Sequence, residues 1–451
     1  MHTVLGDGKA VRIHALTIAK VEAPVYDGAS LIFVTPMSLE TLRKDIVSAV
    51  DAAAGELIGL SHAIHAEPEL SLAEFKAAAR LADAVEGHGM PVTREAFGLK
   101  TGFVSEFGNS KGPTVAILSE YDALPGIGHA CGHNIIAAIG YGATLALSKL
   151  GASLPGTVRY LGTPAEEAHG GKEVMARHGA FAGADAAMMI HPSNMNLITM
   201  PTIAVADVTA VYHGRAAHAS AMPYCGLNAL DAVVTAYSAI AQLRQHIRNT
   251  ERIHGIITDG GMAPNIVPER AACRFFIRAA DVHELAKLKA RVVACFEAGA
   301  LATGCRLELS WTGADYLDLK TNWPLAETFQ RHTEGLGRRF FPVENIPPGF
   351  AGSTDMGNVS HRIPSIHPML AVAPPDVIIH NPAFTRWAAS DQGDTAVLDG
   401  AKALALTALD LMADGHTLAR VAADFEATAE MSRLAVAEVV HDHHHPGCGC
   451  R

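Results

Sequence analysis

Histidine, cysteine and glutamate side chains occur at four separate places in the sequence, each close behind a run of apolar residues. These side chains are Cys131 and His133 in "GIGHACGHN", Glu166 and Glu167 behind "TVRYLG", His191 behind "AAMMI", and His380 in "IIHNPAF". All of them are residue types that bind divalent metal ions in proteins. In an open α/β sheet, ligands bind in the crevice outside the carboxyl ends of the strands. We therefore predict that the four segments meet at one edge of a sheet and enclose metal ions there.

The spacing of these residues separates their roles. Cys131 and His133 are two positions apart, which puts them on nearly opposite sides of a helix but lets them converge in a turn that Gly132 can bend. Glu166 and Glu167 are adjacent, so one carboxylate can face an ion while the other faces the cleft. We assign Glu167 to the ion and Glu166 to the cleft, where it would act as a proton acceptor.

The charges of this set favour hydrolysis of an amide. Two divalent ions among one thiolate, one carboxylate and three neutral imidazoles keep a net positive charge, which would polarise a carbonyl and stabilise a tetrahedral oxyanion. Such ions lower the pKa of a bound water from 15.7 to about 7, which supplies the nucleophile. Glu166 would accept the proton and pass it to the leaving amine, and Asp122, ahead of the "GIGHACGHN" loop, would orient a ligand imidazole.

Other interpretations of these residues stay open on the sequence alone. A redox thiol is disfavoured because the segment around Cys131 contains no Cys-x-x-Cys pair. A cysteine nucleophile is possible, since His129 and His133 flank Cys131, but it leaves the paired glutamates, His191 and His380 without a role. A non-catalytic metal-binding protein is a further alternative, although such a protein needs no base beside its ligands.

Length, composition and charge restrict the class of protein. The chain has 451 residues, 49% of them hydrophobic, which is enough for two domains with filled cores. No apolar run approaches the roughly 20 residues that cross a bilayer, so we predict no membrane partner. The formal net charge of −11 argues against nucleic acid as a partner. Seven scattered cysteines and an N-terminus without a signal-peptide pattern favour a reducing, cytoplasmic location.

The elements that must position these residues follow an alternating pattern. Apolar residues recur every three or four positions over residues 39–60, which predicts a long amphipathic helix with Ser38 as its N-cap. Strands in "TVAILSEY", "TVRYLG" and "AAMMI" alternate with helices, the first of which Asn134 could cap. After residue 313 the pattern resumes with a strand in "SIHPMLAV" and two helices from Asp391 onward. This alternation predicts a largely parallel α/β sheet with helices on both faces.

The pattern changes between residues 201 and 314. Strands and helices there follow the order βαββαβ, which is the split pattern of a ferredoxin-like α+β sandwich. We therefore predict one α/β domain interrupted by a smaller inserted domain. The predicted divisions are an N-terminal extension 1–36, an α/β domain formed by 37–200 and 315–440, the inserted domain 201–314, and a His/Cys-rich tail 441–451. The tail could capture metal, but such a tract is more typical of a non-catalytic end.

Short segments spread from residue 65 to residue 384 follow the order of a known family. They are "HAEPELS", "EYDALPGIGHACGHN", "GTPAEEAHGGK", "IHP", "GRAAHASAMPYCGLNALDA", "GGMAPNIVPERAACRFFIRA", "GSTDMGNVSH" and "IIHNPAF". With these segments the sequence resembles the co-catalytic zinc metallopeptidase family of aminoacylase and the glutamate carboxypeptidases. Within that family it is most similar to the amidohydrolase branch of p-aminobenzoyl-glutamate hydrolase and the β-alanyl (Xaa-Lys/Arg-type) dipeptidases.

The resemblance implies a zinc-peptidase catalytic domain and an inserted domain that serves as lid and dimerisation surface. It implies two divalent metal ions, zinc by preference with Mn²⁺ or Co²⁺ as alternatives. The implied roles are metal ligand for Cys131, His133, Glu167, His191 and His380, general base for Glu166, and orienting acid for Asp122. One departure is Glu120, because many relatives have a histidine two residues before the orienting aspartate and bridge the ions with an aspartate, contacts that "ACGHN" must supply here. Whether Cys131 bridges both ions therefore stays open.

The resemblance also assigns residues to the substrate. His218 in "AAHAS" would reach the site and stabilise the oxyanion, often from the partner subunit of a homodimer. Asn265 and Arg278 fall where relatives bind the free carboxylate of the departing residue, and Ser353 and Thr354 are expected within reach of the substrate. The sequence therefore predicts a metal-dependent amidohydrolase or dipeptidase that cleaves a small amide, such as an N-acyl amino acid, an aryl-amide amino acid or a dipeptide.

Overall fold

A computed structural model describes residues 37–346 and 351–441, with side chains up to residue 437. The predicted extension 1–36 and the predicted tail beyond residue 441 lie outside the described residues. The helices are α1 Leu39–Ala52, α2 Ala54–Ala66, α3 Phe75–Gly87, α4 His133–Ser148, α5 Gly171–Arg177, α6 Ala229–Leu243, α7 Val282–Thr303, α8 Trp323–Gly335, α9 Met356–Ser360, α10 Pro382–Trp387, α11 Asp391–Ala413, α12 Gly415–Glu426 and α13 Ala429–His441. The strands are β1 Thr93–Arg94, β2 Phe103–Gly108, β3 Thr114–Ser119, β4 Thr157–Gly162, β5 Ala186–Met188, β6 His191–Ser193, β7 Ala204–His213, β8 Arg252–Asp259, β9 Arg270–Ala279, β10 Arg306–Trp311, β11 Ser365–Ile366 and β12 Met369–Ala371.

The larger sheet has six strands in the order β1-β2-β4-β3-β5-β11. Its inner pairs β4–β3, β3–β5 and β5–β11 are parallel, whereas β1 and β2 add an antiparallel margin. Alternate residues of β3 enter two different cores, because successive side chains of a strand point to opposite faces. Val115 and Ile117 pack with residues of α1, α2, α4 and α11, while Ala116 and Leu118 pack with residues of α5 and α9. The predicted α/β class, with helices on both faces of a mostly parallel sheet, is confirmed.

A second sheet contains four antiparallel strands in the order β10-β7-β9-β8. Together with α6 and α7 these strands follow one another along the chain as βαββαβ, as the sequence predicts. The neighbouring order of the fourth, first, third and second strands is that of a ferredoxin-like sandwich. Its buried apolar residues, from Ala204 to Cys305, form a core cluster distinct from those of the larger sheet.

The N-terminal helical segment differs from the prediction. Ser38 does cap α1, since its Oγ accepts a hydrogen bond from Thr41 N at 3.1 Å. The single long helix is wrong, however, because the helix is interrupted at Ala53 and continues as α2. Asn134 is also not a cap: α4 begins one residue earlier, and the buried Asn134 amide donates instead to Ser61 Oγ at 2.9 Å and to Ala388 O at 2.8 Å.

The late strand predicted in "SIHPMLAV" is two strands in different sheets. β11 pairs with β5 in the larger sheet, whereas β12 pairs with β6 in a separate two-stranded sheet. The break falls at His367 and Pro368, because proline has no N–H to donate to a strand ladder. The carbonyl of Pro368 accepts a hydrogen bond from His191 N at 2.9 Å and so ties β6 to this break. From Asp391 to the last described residue the structure contains three helices, α11 to α13, where two were predicted.

Candidate metal centre

The four predicted segments meet beyond the ends of the strands that precede them. Cys131 and His133 follow β3, Glu167 follows β4, His191 begins β6 behind β5, and His380 precedes α10. Cys131 Sγ lies 3.3 Å from His191 Nε2, His133 Nε2 lies 3.7 Å from Glu167 Oε1, and Glu167 Oε2 lies 3.5 Å from His380 Nε2. The structure therefore brings the five side chains predicted as ligands into one cluster.

Two of the groups of side chains whose atoms could bind metal share one thiol. Cys131, His133 and His191 offer atoms within 4.8 Å of one another, and so do Cys131, Glu167 and His380. A thiolate that belongs to both groups could contact two ions at once. Glu166 also joins a group with His133 and Glu167, so its carboxylate lies at the edge of the same cluster.

Whether this cluster fits a metal ion can be judged from its buried polar atoms that have no hydrogen-bond partner. Among the described residues, His133 Nε2 and Glu167 Oε1 are buried without a hydrogen-bond partner, which is costly unless something else occupies the space between them. The other ring nitrogen of His133, Nδ1, lies 3.0 Å from Asp122 Oδ1, so Nε2 faces the cluster. Thiolate, imidazole and carboxylate are the ligands that Zn²⁺ prefers in proteins. The residues present fit a divalent ion.

Backbone geometry explains how Cys131 and His133 converge. Gly132 between them has φ 78°, a left-handed conformation that glycine adopts without steric cost. A Cβ at Gly132 would also meet Pro192 Cγ at 2.5 Å, so the loop packs closely against the start of β6. His133 then opens α4, and the turn places both side chains on the same side, as the sequence predicts.

The turn that carries Glu166 and Glu167 is fixed by its backbone. Ala165, directly before it, has φ 63°, which is unfavourable for a residue with a Cβ. Glu167 N donates to Asp122 Oδ2 at 2.9 Å, and the hydroxyl of Tyr316 donates to the carbonyl of Glu166. Within the described residues no hydrogen bond involves the Glu166 carboxylate, although the residue is only 7% exposed. These hydrogen bonds set the backbone from which the Glu166 side chain extends, and its carboxylate has no partner of its own in the described part of the chain.

The pKa values of the two adjacent glutamates are raised, whereas the pKa of Asp122 is lowered. Burial and the negative charges of Glu120 and Glu167 raise the pKa of Glu166 well above its usual range. Burial likewise raises the pKa of Glu167 to about 7, against the opposing effect of His133. Burial acts in the same direction on Asp122, but its hydrogen bond with His133 and the charge of that ring prevail and lower its pKa to about 2. A carboxyl with a raised pKa is suited to accepting a proton at neutral pH.

A cluster of buried charged residues close to Glu166 was not predicted from the sequence. Lys172 Nζ contacts Glu120 Oε1 and lies 2.6 Å from Asp355 Oδ1, and all three residues are fully buried. The free oxygen of Glu120, Oε2, has no hydrogen-bond partner and lies 3.6 Å from His133 Nε2. The only signal in the sequence was the departure at Glu120, and nothing in it identified Lys172 as its partner.

His367 is a second residue that the sequence analysis missed. Its ring centroid lies 5.5 Å from that of His191, and it is 2% exposed. Neither of its ring nitrogens has a hydrogen-bond partner among the described residues. Burial lowers the pKa of His367 to about 4, so the ring is neutral at physiological pH. His367 stands at the break in "SIHPMLAV", which only the structure reveals.

Only some of the residues predicted to bind substrate contact one another. Arg278 on β9 donates from Nη1 to Ser353 Oγ at 3.0 Å, and Thr354 beside it is buried. His218 and Asn265 are exposed and lie next to each other, since Ala219 N donates to Asn265 O. His218 Nδ1 accepts hydrogen bonds from the backbone of its own loop, and no contact between described residues joins it to the metal-binding cluster. The roles of these residues stay predictions.

The fold and this cluster define a class: a metallopeptidase-type hydrolase, with donors for metal ions and a free glutamate at the carboxyl ends of parallel strands. Residues 116–409, well over half of the chain, match the model described as peptidase family M20/M25/M40, and the chain belongs to this family. The resemblance drawn from the sequence segments is thereby confirmed. In the part of the chain that the structure describes, no helix is both long and apolar enough to cross a membrane.

Two dipeptidases and one hydrolase subunit are similar to this chain over most of its length. The Xaa-Arg dipeptidase of Mus musculus is 39% identical over 427 residues, which are 92% of this chain and 98% of that protein. The Xaa-Arg dipeptidase of Homo sapiens is 37% identical, covering 86% of this chain and 93% of that protein. One of the p-aminobenzoyl-glutamate hydrolase subunits of Escherichia coli is 32% identical over 63% of each chain.

Solved structures share the fold at lower sequence identity. The aminobenzoyl-glutamate utilization protein of Klebsiella pneumoniae superposes with a TM-score of 0.67 at 19% identity, over 82% of this chain and 99% of that chain. A Bacillus subtilis protein described as a dinuclear metal-binding peptidase from the M20 family superposes with a TM-score of 0.61 at 22% identity, over 80% and 99%. These structures establish the architecture of the chain and nothing finer.

Proposed function

We propose that this chain is a metal-dependent amidohydrolase or dipeptidase that hydrolyses a small amide by means of an activated water, with Glu166 as the general base. The observation that carries the proposal is Glu166, a residue only 7% exposed whose carboxylate lies at the edge of the metal-binding cluster and has no hydrogen-bond partner among the described residues. Family relatives named as a dipeptidase and as a p-aminobenzoyl-glutamate hydrolase support small amides that carry a carboxylate as the first substrates to test.

The side chains that would hold two divalent ions, zinc by preference, are Cys131, His133, Glu167, His191 and His380. Bound there, the ions would lower the pKa of a water and stabilise negative charge on the substrate carbonyl. Glu166 takes up a proton from the water and delivers it to the leaving amine, because its raised pKa suits both transfers. Asp122 keeps the proton of His133 on Nδ1, which leaves Nε2 free as a donor atom.

The inserted segment would complete the substrate site. Arg278 and Ser353, already in contact, would bind the carboxylate of the substrate, and Thr354 and Asn265 would line the same end. His218 would stabilise the oxyanion, either when the inserted domain closes as a lid or from the partner subunit of a homodimer. The exposure of His218 supports this proposal, because a residue that acts only in a closed or dimeric state is expected to be accessible in an isolated chain.

The test compares Glu166→Gln with the unchanged enzyme on a panel of dipeptides and N-acyl amino acids. We expect Glu166→Gln to retain its metal, measured by elemental analysis, and to lose turnover almost completely, because glutamine cannot accept the proton. Turnover at the original rate would remove Glu166 as the base. An unchanged enzyme that binds metal yet cleaves nothing in the panel would favour the non-catalytic alternative. Activity that survives metal removal would favour a thiol hydrolase at Cys131.

A further inference from the structure

The turn that carries Glu166 needs an external support. Ala165 has a left-handed backbone with φ 63°, a conformation in which the Cβ crowds the following carbonyl. A non-glycine residue keeps such a conformation only where its surroundings hold it there, and such positions cluster at active sites. The support must therefore lie among the groups that contact the N–H and carbonyl groups of residues 165–167.

One buried carboxylate supports this turn from a distant part of the sequence. Glu74, at the start of α3, is fully buried. Its Oε1 accepts a hydrogen bond from Ala165 N at 2.8 Å and a second one from Leu72 N at 2.9 Å. Leu72 is left-handed as well, with φ 66°. A single oxygen atom of Glu74 thus accepts hydrogen bonds from two residues with unfavourable backbone geometry. The other oxygen, Oε2, accepts a hydrogen bond from Thr101 Oγ1 at 3.0 Å.

Leu72 and Ala165, whose N–H groups bind Glu74, are each close in sequence to a residue that is hydrogen-bonded to Asp122 beside the metal-binding cluster. Leu72 follows Ser71, whose hydroxyl donates to Asp122 Oδ2 at 2.7 Å. The same Asp122 oxygen accepts a hydrogen bond from Glu167 N. The N–H groups on either side of Glu166 are therefore accepted by two different buried carboxylates, Glu74 before it and Asp122 after it.

We propose that Glu74 is a positioning residue, which fixes the direction of the Glu166 carboxylate through the backbone of Ala165 without touching substrate or metal. The inference rests on the proposed function, in which Glu166 is the general base. A base displaced by about 1 Å loses about 100-fold in rate, because proton transfer requires a close and aligned approach. Glu74 would therefore act on kcat rather than on substrate binding.

The competing interpretation is that Glu74 only stabilises the fold. A buried carboxylate with satisfied hydrogen bonds does this at many places in proteins, and Asp410 on α11 is an example in this chain. Asp410 is 4% exposed and binds Arg43 at 2.8 Å and His332 at 2.8 Å, neither of which belongs to the metal-binding cluster. Asp410→Ala is thus a matched control, which should lower stability and leave the kcat of the folded protein unchanged.

The experiment measures kcat, KM, metal content and the unfolding midpoint of Glu74→Ala, Glu74→Gln and Asp410→Ala in the metal-loaded enzyme. We expect Glu74→Ala to lower kcat by about 100-fold with little change in KM. Glu74→Gln should retain most of the activity, because its amide oxygen can still accept both N–H groups. If Glu74→Ala does not fold, Glu74→Asp takes its place, since it keeps the charge but withdraws the oxygen by one methylene. A kcat that stays at the original value in the alanine or aspartate variant would overturn the proposal.

A second substitution separates positioning from general stability. In the Glu74→Ala background, Ala165→Gly removes the steric cost of the left-handed turn, so it should restore kcat by about tenfold. A purely structural role of Glu74 predicts no such recovery, because glycine at position 165 adds no contact. Absence of recovery would therefore contradict the proposal.

Hydrogen exchange distinguishes a failure of this inference from a failure of the proposed function. We expect the amides of Ala165 and Glu167 to exchange about tenfold faster in Glu74→Ala than in Glu74→Gln, whatever the chemistry of the site. Faster exchange together with full turnover in Glu166→Gln would refute the base but keep Glu74 as the support of the turn. Unchanged exchange would refute the role of Glu74 and leave the base untouched.

Discussion

Nδ1 of His133 lies 3.0 Å from Oδ1 of Asp122, and both side chains are completely shielded from solvent. The carboxylate lies close enough to hold the proton on Nδ1, which leaves Nε2 as the nitrogen that can bind a metal ion. Carboxylates behind ligand histidines fix the orientation of the ring and raise its basicity. This pair connects the strand β3 with the first turn of α4.

Asp122→Asn should weaken metal binding about 10- to 100-fold, because the neutral amide neither fixes the proton on His133 Nδ1 nor increases the basicity of the ring. The affinity is measured by competition with a chelator. Ser71→Ala is the control, since it removes only a hydrogen bond to the other oxygen of Asp122. Equal affinities of Asp122→Asn and the unchanged protein would contradict this role.

Gly132→Ala should abolish most of the activity and lower the metal content. The new Cβ would come within 2.5 Å of Pro192 and would also have to adopt φ 78°, so the backbone between the two predicted ligands must shift. Gly126→Ala is a matched control in the same loop, with φ 75° but no atom within 4 Å of the new Cβ. Activity and metal content are compared for the two variants, and equal losses would show that the close approach to Pro192 is unimportant.

Lys172→Met should destabilise the protein by about 3–5 kcal/mol, because it leaves two buried carboxylates, Glu120 and Asp355, without their cation. The free energy of unfolding is measured by urea denaturation. Arg420→Met is the control for losing an ion pair at the surface, since Arg420 and Glu327 are both about half exposed, and it should cost about 0–1 kcal/mol. A similar, small cost for both substitutions would argue against a structural role of the buried cluster.

Under the proposed function, Arg278→Met should raise KM about 10- to 100-fold for a substrate with a free carboxylate and change kcat little, because the proposed charged hydrogen bond to the substrate would be lost. Steady-state kinetics on the best amide of the panel provide the measurement. Arg274→Met is the control on the same strand, since Arg274 pairs with Asp207 through Nε at 2.9 Å. If both variants raise KM equally, Arg278 does not bind the carboxylate specifically.

Glu74 should make the protein less stable as the pH rises. Burial and the charge of Asp122 raise the pKa of Glu74 from 4.5 to about 7, so between these values the folded protein holds a proton that the unfolded chain has lost. The resulting stability is complete below the unfolded pKa and declines by about 3 kcal/mol as the pH rises through the folded pKa. Urea denaturation of chelator-treated protein at about pH 5 and pH 8 measures this decline. Glu74→Gln should show less of it, and parallel pH profiles would rule out the raised pKa.

Much of the cluster could be predicted because its residues follow strands that can be recognised from the local sequence. Cys131, Glu167 and His191 come after buried apolar strands, and the carboxyl ends of parallel strands share one edge of a sheet. Asp122 was predicted to orient a ligand imidazole, but it is the structure that identifies this ring as His133. The βαββαβ order of the second sheet was readable because its strands and helices have clear periodicity and length.

The rest depended on contacts between distant segments. A lysine is almost always exposed, so Lys172 gave no sign of lying fully buried between Glu120 and Asp355. The break at Ala53 falls within a run of three alanines, and the nearby Gly55 lies inside α2 rather than at the break. "SIHPMLAV" was predicted as one strand, and only the structure shows that it is broken at Pro368 and that its two halves join different sheets.

The order in which the chain is synthesised has a consequence for the cluster. His191 precedes the four strands β7 to β10, and His380 follows all of them. A growing polypeptide on the ribosome therefore carries most of the donor atoms long before the last one emerges, and domains fold from the N-terminal side as they appear. Under the proposed function, the complete pair of ions can be captured only after His380 has been translated, so acquisition of metal would come after synthesis of all the strands from β1 to β12.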